Sequence, residues 1–248
     1  MSLSAYMILA FGAGLAGFVQ GLSGFAFGLV AMSVWAWVID PKLAAPLAVS
    51  GALTGQIVAA LTVRRGYDLR RLAPFVLGGL AGIPLGVTLL PWLDIDLFKV
   101  MLGTLLVVWC PAMLVAKDGP RLTVGGRLAD SLVGLGGGLL SGLGGFTGTL
   151  PTLWCTLRGY EREVQRAVIQ NFNLAMLLVT MLTYLGTGLV TPTMLPAFAV
   201  VLPAMLVPTF LGTRAYVGLG ETTFRKLVLG LLTASGIALL ASALPKVL

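Results

Sequence analysis

Long apolar segments alternate with short charged stretches along the whole chain. Six of these segments have the roughly 18 or more residues that a membrane span requires. We predict spans at 44–63, 72–90, 97–116, 167–186, 193–213 and 225–244. Two further apolar segments, 3–39 and 128–157, are each interrupted by a cluster of glycines. The pattern predicts an all-α polytopic membrane protein in which both interrupted segments are helical hairpins.

The two interruptions are similar in sequence. The first reads QGLSGF at residues 20–25, and the second reads SGLGGF at residues 141–146. Three predicted spans follow each of them. A duplication of this kind predicts two repeats, residues 1–116 and 128–248, joined by a linker at 117–127.

The distribution of charge predicts how the repeats cross the membrane. If each interrupted segment enters and leaves on one side, 13 of the 16 basic residues share that side. If each crosses once, the split is even. The positive-inside rule therefore favours hairpins, with the linker and the basic loops in the cytoplasm. The second repeat is then inverted relative to the first, both termini are non-cytoplasmic, and the hairpin tips can meet near the midplane.

Composition excludes several function classes. Hydrophobic residues make up 58% of the chain and charged residues 10%, far below the quarter that is usual in soluble domains. The net charge of +7 is explained by the basic cytoplasmic loops, so we expect no nucleic-acid partner. The GxSG pattern at Gly21–Gly24 is typical of rhomboid proteases, which need a histidine base, and the chain has no histidine. We expect no enzymatic activity, no cofactor and no metal.

The glycine breaks are candidate binding positions. A broken membrane helix leaves backbone N–H and C=O groups that protein, water or substrate must satisfy. The arm after each break begins a helix, and free N–H groups at a helix N-terminus favour an anion. The spans carry no deeply placed charged residue, so an obvious carboxylate proton relay is missing. A site made of backbone N–H, hydroxyl and amide groups suits a weakly basic oxyanion. Paired interrupted segments also mark the binding site of many transporters.

Candidate substrate-binding residues come from the tips and from the span after each hairpin. In the first repeat they are Gln20, Gly21, Ser23, Gly24, Phe25 and Ser50. In the second repeat they are Ser141, Gly144, Gly145, Phe146, Thr147, Gln170, Asn171 and Asn173. A structural interpretation stays open beside this one, because small-xxx-small spacing allows tight helix packing and buried amides also join helices.

The motifs and their duplication resemble the TauE/SafE family of sulfite and organosulfonate exporters. Gly142–Phe146, followed by Pro151, is close to the GxGGG-type pattern of that family, and Ala167 and Asn171 extend the similarity. The first motif departs from the pattern, since Ser23 stands in place of a glycine. The resemblance covers nearly the whole chain. It implies a permease for small sulfur-containing anions, usually in the bacterial inner membrane.

We therefore expect a transporter that moves sulfite or an organosulfonate by alternating access. Its expected partners are a small anionic substrate and the lipid bilayer, with the oligomeric state, a homo-oligomer included, left open. An anion channel and a non-transporting membrane scaffold or assembly factor are the alternatives. The sequence leaves the particular anion, the direction and the driving force open.

Overall fold

The computed structural model describes residues 1–62, 66, 68–116, 121–122, 125–215 and 221–247. Within these residues the chain is helical, without strands, which confirms the predicted all-α class. The helices are α1 (Leu3–Ser23), α2 (Phe27–Trp35), α3 (Pro41–Thr62), α4 (Leu69–Leu89), α5 (Ile95–Val115), α6 (Gly126–Gly144), α7 (Thr149–Leu157), α8 (Arg162–Gly186), α9 (Leu195–Ala215) and α10 (Glu221–Val247). Arg64, Arg65, most of the linker and the side chain of Arg225 lie outside the described part.

Seven of the described helices are long and apolar enough to cross a membrane, namely α1, α3, α4, α5, α8, α9 and α10. Large apolar side chains on these helices also point outward, such as Leu77, Leu182 and Leu231. A soluble protein rarely exposes apolar surface on this scale. The chain is thus a multi-pass membrane protein.

One glycine ends the first arm of each hairpin. Gly24 follows α1 with φ of 83°, and Gly145 follows α6 with φ of 73°. In both cases the glycine N–H returns to a carbonyl of the last helical turn. A left-handed backbone conformation strains residues with a β-carbon, so glycine is the usual helix terminator here. The break is therefore set by local backbone geometry.

The second arm of each hairpin is about half as long as the first. With 21 and 19 residues, α1 and α6 are about 32 and 28 Å long, close to the hydrocarbon thickness of a bilayer. With nine residues each, α2 and α7 are about 14 Å long. The Leu122 N–H donates to the Leu157 carbonyl across 2.9 Å, so the second interrupted segment folds back to the end where it began.

Three close helix pairs hold the bundle together. Helices α4 and α6 run parallel, because β-carbons built on Gly78, Gly82 and Gly86 would meet carbonyl oxygens at successively later positions of α6. The pair α1 and α9 is parallel by the same criterion. The pair α5 and α10 is antiparallel, since Lys246 at the end of α10 contacts Asp96 at the start of α5.

These directions bring both ends of the described chain to one end of the bundle. The starts of α4 and α6 and the end of α7 line one cleft and therefore share an end of the molecule. Helix α8 begins at that end and runs alongside α4. Helix α9 then ends there, and α10 begins there. Helix α1, parallel to α9, begins at the opposite end, where α10 finishes.

Candidate anion-binding site at the hairpin tips

The tips of the two hairpins contact each other inside the bundle. A β-carbon on Gly148, in the second tip, would lie 3.1 Å from the ring of Phe25 in the first. A β-carbon on Gly28 would lie 2.7 Å from the Gly145 carbonyl oxygen. Because these glycines carry no side chain, the two breaks can approach within contact distance.

The first turn of α2 offers unpaired backbone donors at this junction. The Val30 N–H makes the first main-chain hydrogen bond, to Ala26, and no side chain caps the helix. The N–H groups of Phe27–Leu29 thus lack an intrahelical acceptor, and all three residues are buried. Unpaired N–H groups are rare in buried positions and normally find water or a ligand.

The second tip offers a matching set of donors. The Thr149 N–H donates to the Phe146 carbonyl, and no described side chain caps α7. The N–H groups of Thr147–Gly148 and Leu150 have no backbone acceptor within the described residues. Two helix N-termini, one from each hairpin, therefore open onto the same buried junction.

The side chain of Asn173 completes the junction from α8. The residue is 1% exposed, and its amide group lies about 3 Å from the position of a β-carbon on Gly148. Its Oδ1 atom has no hydrogen-bond partner among the described residues. A buried amide presents two N–H donors and one acceptor, and an orphaned atom of this kind marks a place for water or a ligand.

The donor set at the tips is suited to an oxyanion. The N-termini of α2 and α7 carry partial positive charge and free N–H groups, and the Asn173 amide adds a donor. Among the described residues, no group of three His, Cys, Asp or Glu side chains could hold a metal ion.

Comparison with known proteins identifies the family of the chain. The family model for the sulfite exporter TauE/SafE matches residues 9–239, nearly the whole chain. The chain belongs to the TauE/SafE family. Neither a curated protein nor a solved structure matches it. The resemblance that the duplicated glycine motifs carry is confirmed, and the TauE/SafE family is one of sulfite- and sulfonate-exporter-type transporters.

In this TauE/SafE member, the predicted hydroxyl groups of the second tip hold it against α8. The Thr147 hydroxyl donates to Ser141 across 3.1 Å, and Ser141 shares a 2.7 Å hydrogen bond with Thr180. The Tyr184 hydroxyl donates to the Gly142 carbonyl. Sequence analysis did not single out Thr180 and Tyr184, although their spacing from Asn173 puts all three on one face of an apolar helix.

In the first tip, amide and hydroxyl groups attach the break to its neighbours. The Ser23 hydroxyl oxygen accepts the N–H groups of Phe25 and Ala26 at 3.4 and 3.3 Å and so closes the turn. The Gln20 side chain donates to the Ala52 carbonyl of α3, while its Oε1 atom has no partner in the described part of the chain. Gln56, also on α3, donates to the Gly24 carbonyl.

The remaining candidates divide between the tips and the helix interfaces. The Gln170 side chain lies 3.5 Å from the position of a β-carbon on Gly24, beside the first tip. Asn171 instead donates to the Gly66 carbonyl, in the segment between α3 and α4. Ser50 donates within α3, to Leu47. Gly21 packs against Thr209 of α9.

Two more candidates are packed at the second tip. A β-carbon on Gly144 would lie 2.8 Å from the ring of Phe146. The Phe146 ring is 1% exposed and packs against Phe98 with ring centroids 6.5 Å apart. Both residues therefore shape the tip without offering a side-chain donor to it.

Proposed function

We propose that this protein carries sulfite or an organosulfonate across the bacterial inner membrane and binds it between the two hairpin tips. The observation that carries the proposal is the convergence of two uncapped, buried helix N-termini at one junction, beside the buried Asn173 amide, whose Nδ2 group is a donor. Binding and release of an anion need no covalent chemistry, so the protein acts as a carrier and not as an enzyme.

The chemistry of the substrate follows from the donors. Sulfite and sulfonate groups each present three oxygen acceptors on one sulfur atom, which several N–H groups can share. Backbone N–H groups at helix N-termini replace the water around such an anion without placing a fixed cation in the pathway. A site of this kind binds firmly enough to select an anion and weakly enough to release it.

The helix pairs support an alternating-access mechanism. Exchanging the proposed repeats converts α1 into α6, α4 into α9 and α5 into α10. This exchange turns the α1–α9 pair into the α4–α6 pair and returns the α5–α10 pair to itself. Inverted repeats with this relation give a transporter two equivalent conformations, in which one repeat rocks against the other around a fixed site.

The charge distribution supports the orientation. Arg70, Arg127 and Arg158 lie at the end of the bundle where α4 and α6 begin. By the positive-inside rule this end faces the cytoplasm, so the N- and C-termini face away from it.

Flux measurements with the purified full-length protein test the proposal. Reconstituted into liposomes, the protein should take up radiolabelled sulfite with saturation, and unlabelled sulfite on the opposite side should accelerate the exchange. Methanesulfonate should compete with sulfite if sulfonates share the site, and substrate should raise the thermal unfolding midpoint in detergent.

The outcomes distinguish the alternatives. Flux that does not saturate and shows no counterflow would favour an anion channel. Absence of both flux and thermal stabilisation across a panel of oxyanions would contradict the transport proposal and favour a scaffold.

A further inference from the structure

A polar cavity lies far from the tips, at the arginine-rich end of the bundle. It has a volume of about 430 Å³ and is lined by the first turns of α4 and α6 and by the end of α7. Helix α6, with 19 residues, is about 28 Å long and separates this cleft at its start from the tip at its end. The cleft is therefore not part of the transport site proposed above.

Basic groups dominate the lining of the cleft. Arg70, Arg71, Arg127 and Arg158 line it, together with two aspartates. Both aspartates already have partners: Asp68 accepts the Arg71 N–H at the start of α4 and pairs with its side chain, and the buried Asp130 accepts the Trp154 indole N–H across 2.7 Å. The cleft thus carries an excess of positive charge, and both of its carboxylates already have protein partners.

Two of the arginines are available to a ligand. Arg70 and Arg127 are exposed, and neither has a hydrogen-bond or ion-pair partner among the described residues. They come from different helices and face one cavity. Guanidinium groups bind phosphate oxygens through paired N–H donors, with better geometric match than lysine.

The other two arginines are held in place by an aromatic ring. The Arg71 guanidinium lies 5.1 Å from the centre of the Tyr160 ring, and the Arg158 guanidinium lies 6.0 Å from it. Burial and the nearby Asp130 carboxylate raise the pKa of the Tyr160 phenol, and a hydrogen bond with Arg158 acts in the opposite direction. Contacts of this kind orient the guanidinium groups before a ligand arrives.

The surface beside the cleft is apolar. Leu69 and Leu128, which adjoin Arg70 and Arg127 in sequence, are 70% and 74% exposed, and Leu132 lies one turn further along α6. A ligand whose phosphate enters the cleft could therefore lay acyl chains along these leucines. Basic pockets between membrane helices on the cytoplasmic side bind lipid headgroups in this way.

We propose that this cleft binds a phosphate group, either the headgroup phosphate of an anionic phospholipid or a soluble phosphate. Several guanidinium groups surround the phosphate, and the uncapped start of α6 adds a favourable dipole. Binding ties together the ends of α4, α6 and α7, which otherwise repel one another through their arginines.

The test uses the full-length protein in detergent and two charge-matched double variants. Arg70→Gln/Arg127→Gln removes two arginines from the cleft. Arg166→Gln/Arg214→Gln removes two exposed arginines that lie outside it. Binding of phosphatidylglycerol in mixed micelles and of inorganic phosphate is measured by thermal shift at constant ionic strength, with phosphatidylcholine as the uncharged comparison.

We expect the cleft variant to lose about tenfold or more in affinity, because each lost guanidinium removes a charge-assisted hydrogen bond. The matched variant should change by less than about twofold, since exposed charges outside a site act only through screened long-range attraction. Loss for phosphatidylglycerol alone identifies a lipid site, and loss for inorganic phosphate identifies a soluble ligand.

Equal losses in the two double variants would overturn the proposal, as would failure of the unmodified protein to bind either probe. Equal unfolding midpoints without ligand confirm that the variants are folded. If the glutamine variant unfolds, Arg70→Lys/Arg127→Lys replaces it, because lysine keeps the charge while losing the paired donors.

Discussion

At the scale of single residues, two asparagines on α8 have different surroundings. The side chain of Asn171 has a protein partner, the Gly66 carbonyl. The side chain of Asn173 is buried at the tips and its Oδ1 atom has none. Burying an amide oxygen without a donor is unfavourable, so Oδ1 marks a position for water, while the Nδ2 group is the part of the side chain that can donate to the proposed oxyanion.

The variant Asn173→Ala should raise the KM for sulfite uptake by about tenfold or more, because a hydrogen bond to a charged group contributes about 1.5–3 kcal/mol. Its unfolding midpoint without substrate should change little, since Oδ1 leaves no protein partner behind. Asn171→Ala is the matched control on the same helix and should change KM by less than about threefold. An unchanged KM in the Asn173 variant would remove this residue from the site.

A second prediction at this scale concerns Tyr184, whose hydroxyl donates to the Gly142 carbonyl at the end of α6. Tyr184→Phe should lower the stability of the protein by about 1–3 kcal/mol, because a buried carbonyl loses its partner. Thermal unfolding in detergent measures the loss. Tyr6→Phe is the control, since no hydrogen bond joins the Tyr6 hydroxyl to the described residues; equal shifts in both variants would contradict the prediction.

At the scale of helices, glycine has two separate roles. Gly24 and Gly145 end helices through their left-handed conformation. Gly78, Gly82 and Gly86 on α4 and Gly134, Gly138 and Gly142 on α6 instead let the two backbones touch. The helix-packing interpretation of small-xxx-small spacing therefore applies to Gly134, Gly138 and Gly142. Gly24 and Gly145, at the ends of α1 and α6, set the breaks.

The contact between α4 and α6 predicts a large effect of adding one methyl group. A β-carbon on Gly82 would meet the Leu135 carbonyl oxygen, so Gly82→Ala should destabilise the protein by about 1–3 kcal/mol through overpacking. A lower thermal unfolding midpoint and a broader elution profile would report it.

The control for this prediction is Gly230→Ala on α10, because nothing lies within 4 Å of the position of its β-carbon. It should be neutral or stabilising by up to about 1 kcal/mol, as expected from helix propensity. If both alanine variants behave alike, packing at Gly82 is not limiting.

At the scale of the whole molecule, the helix directions put both chain ends at the end of the bundle opposite the arginine cleft. Lys246 and Asp96 mark that end with a 3.4 Å ion pair. The charges at that end are balanced, with Lys42, Lys99 and Lys246 beside Asp40, Asp94 and Asp96, whereas four arginines and only two aspartates line the cleft. The asymmetry predicts which end faces the cytoplasm.

Cysteine labelling of the full-length protein in intact cells tests this orientation. Val247→Cys should react with a membrane-impermeant maleimide from outside, whereas Leu122→Cys should react only after the membrane is permeabilised. The native Cys110 and Cys155 side chains are buried and should contribute little background. The opposite labelling pattern would reverse the predicted topology.

The sequence by itself determined the helical class, the family and the positions of the two breaks. These features depend on local or additive properties: the length of apolar segments, and glycine where the backbone must turn left-handed. For the same reason it predicted the candidates at the tips, because paired breaks in a duplicated chain point to one junction.

Only the tertiary structure decided which polar groups at the tips already have protein partners. Ser141 and Thr147 bond to each other and to α8, and Ser23 closes its own turn, whereas Asn173 and two helix N-termini face the junction. The structure alone also brought Arg70 and Arg127 to one cleft. A hydrogen-bond partner depends on which helices pack together and in which rotation, and residues far apart in sequence set both.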